Sequence, residues 1–260
     1  MTFPIHTSSM LSPLMLRGDM PREVATTYWA STHADKVEKL PNLVEYTQRH
    51  FSTTDHGFWP ATAGVGTRIP EDWRLDGCAE LRFRSTVATL MTAPYAREVY
   101  LDEQNVFGKV IGHVTGPGGG RWWTDGFDET IGHHVMLLLR RRSGVRGSVF
   151  REFVHGGVGR ALLDAGVRDV RTYTFLPWTR WYNTSPGVCH DNPLEHRHHG
   201  AVVFGVPSRG AVDELLRSHS VTALIDQQHT ACTAVHAYSV ERSVPVVRAY
   251  PTVSKASSRG

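Results

Sequence analysis

Cysteine is scarce in this sequence: three residues, Cys78, Cys189 and Cys232, odd in number and far apart. That excludes a disulfide framework and suits a reducing compartment, so a cytoplasmic location is expected. Long apolar runs are missing too. None approaches the ~18 residues that a membrane-spanning helix needs. The opening MTFPIHTSSMLSPLML lacks the basic start and continuous apolar core of a signal peptide, and reads as a short flexible leader. A strong charge of either sign is also absent. The net charge of +3 and pI near 8.8 are spread along the chain and give no footprint for nucleic acid. The basic cluster Arg140-Arg141-Arg142 reads as a solvated strand end. No Gly-x-Gly-x-x-Gly follows a strand, and neither a Gly-x-x-x-x-Gly-Lys loop nor a Gly-x-Ser-x-Gly elbow occurs. Nucleotide, nucleic-acid and membrane partners are therefore not expected, and neither is a cofactor.

What is present is material for a substantial core: 260 residues, 40% hydrophobic and 20% charged, enough for one large domain or two small ones. A strand at Ser12–Arg17 leads into a helix at Asp19–Lys39, with Asp19 as N-cap and Pro21 in the first turn. Pro41 stops the helix and Asn42–Phe51 reads as a strand rich in aromatic and β-branched residues. A loop, Ser52–Leu75, precedes an alternating strand at Asp76–Phe83. Ser85 caps a helix through Met91, a second helical stretch carries Asp102-Glu103-Gln104-Asn105, and Lys109–Val114 is a strand. The run Gly116–Gly120 reads as a linker. The same order then recurs: strand His134–Arg140, helix Gly147–Ala165, strand Val167–Trp178, a long loop, strand Ala201–Phe204, helix Ala211–Gln228 and strand Thr233–Val240. The tail SKASSRG reads as disordered.

Three pairs mark the repeat: His33 with His155, Gly77 with Gly200, and Asp102 with Asp226, at offsets of 122, 123 and 124 residues. Each copy has the β-α-β-β-α-β order of a ferredoxin-like unit, and the expected domains are 11–116 and 132–247. Such a unit carries helices on one sheet face only. Two copies can bury their open faces against each other, so the expected class is α+β with paired sheets enclosing an apolar chamber.

The ordered set Tyr28-Trp29…His33, the Pro41 break with Tyr46 beyond it, Asp76-Gly77-Cys78-Ala79-Glu80-Leu81, and Leu101-Asp102-Glu103-Gln104-Asn105-Val106-Phe107 resembles the EthD family of dimeric α/β-barrel proteins. The second copy keeps Phe150, His155, Tyr173 and Asp226, but has Arg151 where the first has Trp29. The resemblance implies a barrel of two ferredoxin-like units fused in one chain. It also implies a place among small enzymes of polyketide and aromatic metabolism: cyclases, decarboxylases, dehydratases and cofactor-free oxygenases.

The leading candidate for chemistry is His33, a neutral imidazole able to take a proton from a phenol or an activated methylene. Its competing reading is a core histidine bonded to a backbone carbonyl. Trp29, at i−4, would wall a flat apolar substrate, while Tyr28 and Tyr46 are placed to hydrogen-bond a carbonyl or enolate oxygen. His155 is the counterpart in the second copy. The loops carrying Trp59 and carrying Trp178, Trp181, His190, Asp191 and His196 read as lids over the barrel mouths. In them His190 and Asp191 form a second acid/base set, and Trp59, Trp178, Trp181 and His196, with Tyr173 on its strand, are candidate substrate contacts. The stretch Cys189–His199 has the composition of a metal site, but its spacing fits no regular ligand pattern, and no metal is expected.

The resulting expectation is a cofactor-independent enzyme, of lyase or cyclase type, acting by proton transfer on a hydrophobic carbonyl compound of secondary metabolism. A cofactor-free oxygenase and a non-catalytic carrier of apolar small molecules are the alternatives. A homodimer is compatible with the fold, although a fused pair removes the need for one.

Overall fold

The computed structural model describes residues 4–124 and 128–248. Among the described residues nine strands form one antiparallel sheet: β1 (Ile5–Leu16), β2 (Leu43–His56), β3 (Gly77–Phe83), β4 (Phe107–Val110), β5 (His113–Trp123), β6 (His133–Arg141), β7 (Arg168–Phe175), β8 (Gly200–Val206) and β9 (Cys232–Val247). In the first half the pairing order is β4-β1-β3-β2, with β5 continuing alongside β1. In the second it is β9-β6-β8-β7. Two ladders join the halves, β2 with β9 and β5 with β7, and pairing of β1 with β3 closes eight strands into a barrel. The molecule is thus a mixed α+β antiparallel barrel with its helices outside.

Strand alternation decides what faces each side. In β3, Leu81 and Phe83 point outward and pack with Val37 and Val99 from the helices, whereas Cys78 points inward among Leu11, Phe51, Leu138 and Tyr238. The barrel interior is not the purely apolar chamber expected. It holds Arg49, Arg171, Glu45, Glu80, Asp169 and His134, all buried. Arg49 Nε donates to Glu80 Oε2 at 2.9 Å, and Arg171 donates to Asp169 Oδ1 at 2.8 Å and to Glu45 Oε1 at 2.9 Å. Burial would raise the Glu80 carboxyl, but the guanidinium groups of Arg171 and Arg49 outweigh it and hold it below its ordinary value. Because Arg171 comes from one half and Glu45 and Glu80 from the other, breaking this network would leave a buried charge unpaired across the seam.

Several boundaries differ from expectation, each for a local reason. The flexible leader is largely strand, since residues from Ile5 onward pair with β5. Asp19 pairs with Arg17 and does not cap, and Pro21 directly precedes the helix. The Gly116–Gly120 run is not a linker but the middle of β5. A Cβ on Gly119 would lie 2.7 Å from the Thr174 carbonyl oxygen, so only glycine lets β5 run this close to β7. The Ala211–Gln228 stretch is two helices, Arg209–Leu216 and His219–Gln227, the first capped by the Ser208 hydroxyl. The final strand runs on to Val247, because its second part supplies the partner of β2. The SKASSRG tail lies outside the described residues. The helix of residues 22–37 contains a π turn, Trp29–His33, and that of residues 147–164 contains another, Phe153–Val158. Such turns are rare and cluster at functional sites, and each here holds one of the paired histidines.

Candidate active site

A cavity of about 370 Å³ lies in the first half, between the helices and the outer face of the sheet, and not inside the barrel. Its floor is the outward set of the sheet (Met10, Leu14, Tyr46, Leu81, Phe83), and its far wall is Val37, Val99 and Tyr100. Trp29 closes one end. A Cβ on Gly77 would lie 2.7 Å from Trp29 Cη2, so the indole can cross β3 only over a glycine. In the second half Phe150, and not Arg151, makes the matching crossing, 3.2 Å from the position of a Cβ on Gly200. There the corresponding space is packed with Trp59, Val135, Leu137, Phe150, Val154 and Leu162.

His33 lines the cavity. Its Nδ1 lies 2.9 Å from Asp102 Oδ2, and its ring meets Phe107 edge-on. Asp102 is held in turn by Tyr28 Oη at 2.8 Å, Lys36 Nζ at 2.9 Å and Asn105 Nδ2 at 3.1 Å, all on Oδ1. Burial alone would raise this carboxyl; the bonds from His33, Lys36, Tyr28 and Asn105 outweigh it and hold it well below the usual carboxylate range. An ionised Asp102 accepts from His33 Nδ1–H and so orients the ring; in the neutral tautomer that this bond selects, the lone pair sits on Nε2. A carboxylate-oriented imidazole is an arrangement able to take up a proton at Nε2.

Tyr46 provides the complementary group. Its oxygen accepts from Trp29 Nε1 at 3.2 Å and from Gln48 Nε2 at 3.0 Å. Gln48 Nε2 also reaches the Trp29 carbonyl at 2.7 Å, which fixes the amide orientation and makes Gln48 Oε1 the acceptor for His50 Nε2 at 3.1 Å. Both neighbours of Tyr46 donate to it, so its own proton is free for a cavity occupant. Burial pushes the Tyr46 hydroxyl well above its ordinary value, keeping it a donor. His50 stacks on Trp29 with centroids 4.2 Å apart, and burial pushes it down to about 4.

The other expected residues divide. Trp181, with Tyr182, lines the same cavity although both belong to the second half. Tyr28 contacts Asp102, not the cavity, and so acts as a support for the dyad. His155 bonds Thr172 Oγ1 at 2.6 Å and Thr174 Oγ1 at 3.3 Å with no carboxylate, and burial pushes it to about 3. Tyr173 points into the barrel onto Glu80. Trp59 belongs to the second half's core, with Nε1 donating to Gln228 at 2.9 Å. Trp178 lies under Arg197, and His196 stacks on Trp73. His190 is buried between the carbonyls of Val110 and Ser185, while Asp191 is exposed, so they form no acid/base pair. Each long loop therefore crosses to the helix face of the opposite half, and neither is a barrel-mouth lid. Among the described residues no group of three or more His, Cys, Asp or Glu is placed to hold a metal ion. Asp102 and Glu103 were missed as site residues. The motif at 101–107 marked their stretch, but nothing local joins Asp102 to His33 across 69 residues.

Residues 17–108 match the model of the EthD domain family, about a third of the chain. No curated protein matches the chain. Among solved structures it is similar to an anthrone oxidase-like protein, at TM-score 0.57 and 8% identity, over 95% of this chain and 97% of that one. It is also similar to a "putative monooxygenase" from Lactobacillus acidophilus NCFM, at TM-score 0.54 and 9% identity, over 96% of this chain and 97% of that one. A third likeness, at TM-score 0.51 and 7% identity over 92% of each chain, is to a "putative monooxygenase" of Fusobacterium nucleatum subsp. nucleatum. At such identities the likeness establishes the fold. The matched segment holds the His33–Asp102 pair and the three residues that support it, Tyr28, Lys36 and Asn105.

Proposed function

We propose that the chain is a tandem of two ferredoxin-like units, 11–116 and 132–247, of which the first is an enzyme site and the second a structural partner. The reaction is His33-based proton abstraction from a planar, hydrophobic, enolisable carbonyl compound. The observation that carries this reading is that the Asp102-held imidazole of His33 and the Tyr46 side chain line one largely apolar cavity. His33 takes the proton from carbon, and Tyr46 donates to the oxygen on which the enolate charge develops.

The structural likenesses described as monooxygenase and anthrone oxidase-like support oxygenation over the lyase outcome as the fate of that enolate. A methylene carbon gives one proton to His33 Nε2, the enolate adds O2 at that carbon, and His33 returns the proton to the peroxide. Loss of water then leaves a carbonyl. One oxygen atom stays on carbon and the other departs as water, so no external reductant is required.

Anthrone, an enolisable tricyclic ketone, is a suitable probe. Under nitrogen in D2O the protein should accelerate deuterium entry at its methylene, and in air it should consume one O2 per molecule converted. No acceleration of exchange would end the proton-abstraction reading. Exchange without oxygen uptake would return the reaction to the lyase class.

A further inference from the structure

The long loop between β7 and β8 reaches the first half's cavity and leaves a tryptophan standing open at its edge. Trp181 lines the cavity yet is 85% exposed, whereas Trp59, in the loop between β2 and β3, is 4% exposed in the second half. These two tryptophans hold matching places. Trp59 lies 18 residues before Gly77 and Trp181 lies 19 before Gly200, the glycines that each open the next strand. Both loops cross to the opposite half and grip the same kind of residue there. Trp59 Nε1 donates to Gln228, and Asn183 Nδ2 donates to both oxygens of Glu103, at 3.1 and 2.9 Å, with the Ser185 hydroxyl also on Glu103. Glu103 and Gln228 are equivalent by backbone geometry: each carbonyl accepts the N–H three residues on, from Val106 and from Ala231, directly before β4 and β9.

The difference lies in which loop residue takes the grip. In the second half the indole does, and it fills the space between helices and sheet. In the first half Asn183, two residues beyond Trp181, takes the carboxylate, so the space stays open and the indole stays outside. Trp181 rides on a single turn, Arg180–Tyr182, closed by Tyr182 N–H to Thr179 O at 3.2 Å. Leu90 also lines the cavity while 71% exposed, so Trp181 is not alone in leaving apolar surface uncovered there.

We propose that Trp181 is a substrate-contacting wall of the first half's cavity, turning inward to stack on a flat apolar occupant as Trp59 does, without one, in the second half. Asn183 and Ser185 on Glu103 form the fixed end about which the turn swings. The arrangement selects for shape: an indole face rewards a planar occupant and gains little from a globular one. This inference rests on the proposed assignment of the cavity as the binding site.

The test is binding of 1,2-dihydroxyanthraquinone, a coloured planar probe, and of adamantanone, a globular ketone, to the full chain. It compares wild type, Trp181→Ala and Trp181→Phe by stopped flow and calorimetry. Because the side chain is exposed, both variants should melt with wild type. Trp181→Ala should raise the dissociation rate of the planar probe about tenfold, as expected for loss of a stacked face. Trp181→Phe should restore most of the loss, and adamantanone should distinguish the three proteins little. The wild-type-minus-Trp181→Phe fluorescence difference should shift to the blue when the planar probe binds. Unchanged dissociation in Trp181→Ala, with the probe bound normally, would overturn the role of Trp181 and leave the cavity assignment standing. Failure of wild type to bind either probe would overturn the cavity assignment itself, and this inference with it.

Discussion

Replacing Asp102 by Asn changes one atom and inverts the chemistry of His33. Three donors, from Tyr28, Lys36 and Asn105, converge on Oδ1 at 2.8, 2.9 and 3.1 Å, so the amide oxygen must take that place. The amide NH2 then faces His33 Nδ1, where the carboxylate oxygen lies at 2.9 Å in the native chain. A ring nitrogen meeting an N–H donor must accept, which moves the imidazole proton to Nε2. The nitrogen facing the cavity becomes a donor and can no longer take a proton from carbon. Loss of a positioned general base lowers rates by about 10²–10⁴-fold, and that is the expected fall in methylene exchange of anthrone. The charge-assisted bonds weaken as well, at an expected cost of about 2–4 kcal/mol in urea unfolding near neutral pH. Asp102 is held below the usual carboxylate range, so its stabilisation is present above the ordinary value of about 4 and fades as pH falls toward the folded-state value. The stability gap between the proteins should therefore be full near neutrality and narrow in acid. A variant with wild-type exchange rate and an unaltered pH–rate profile would refute the orienter role of Asp102.

Tyr46→Phe should lower the exchange rate about 10²-fold or more by removing the donor to the enolate oxygen, and leaving Trp29 Nε1 without its acceptor should cost about 1–2 kcal/mol in unfolding. Gly77→Ala should lower the melting temperature and shift tryptophan emission, because the new methyl would lie 2.6 Å from the Arg49 carbonyl oxygen and 2.7 Å from the Trp29 ring. Burial pushes His50, His199 and His236 to about 4 and His113 and His155 to about 3, so unfolding takes up protons below the ordinary histidine value. Stability should fall as pH drops below about 6.5, each histidine adding at most ~1.4 kcal/mol per pH unit; a flat profile from neutral pH to about pH 5 would contradict their neutral burial.

Much of the architecture was legible because it is carried by local pattern. Alternation in Asp76–Phe83 and the Ser85 cap required only neighbouring residues to interpret. The glycine run at 116–120 misled because composition cannot separate a flexible linker from a strand squeezed between two others. The barrel's ionic interior was hidden for a related reason. Glu45, Arg49 and Glu80 look like ordinary polar positions on half-exposed strands until β2, β3 and β7 are brought together. At the site, the composition and i+4 spacing of Trp29 and His33 drew attention to a helix, and Tyr46 to a strand, that line the cavity. The hydrogen-bond partner of His33, Asp102, is distant in sequence and was visible only in the 101–107 motif and as a repeat anchor. The loops were the least legible. Nothing in Ser52–Leu75 or in the histidine-rich stretch says that each crosses to the opposite half, one filling a core and the other edging a cavity.

The most direct measurement is a crystal structure of the full chain soaked with 1,2-dihydroxyanthraquinone, which has the shape of the proposed substrate but no methylene proton to lose. The planar ring should lie between the helices and the outer sheet face of the first half, with an oxygen on the Tyr46 hydroxyl and the central-ring carbon about 3–3.5 Å from His33 Nε2. A ligand bound in the second half or in the barrel, or His33 turned away from it, would contradict the account.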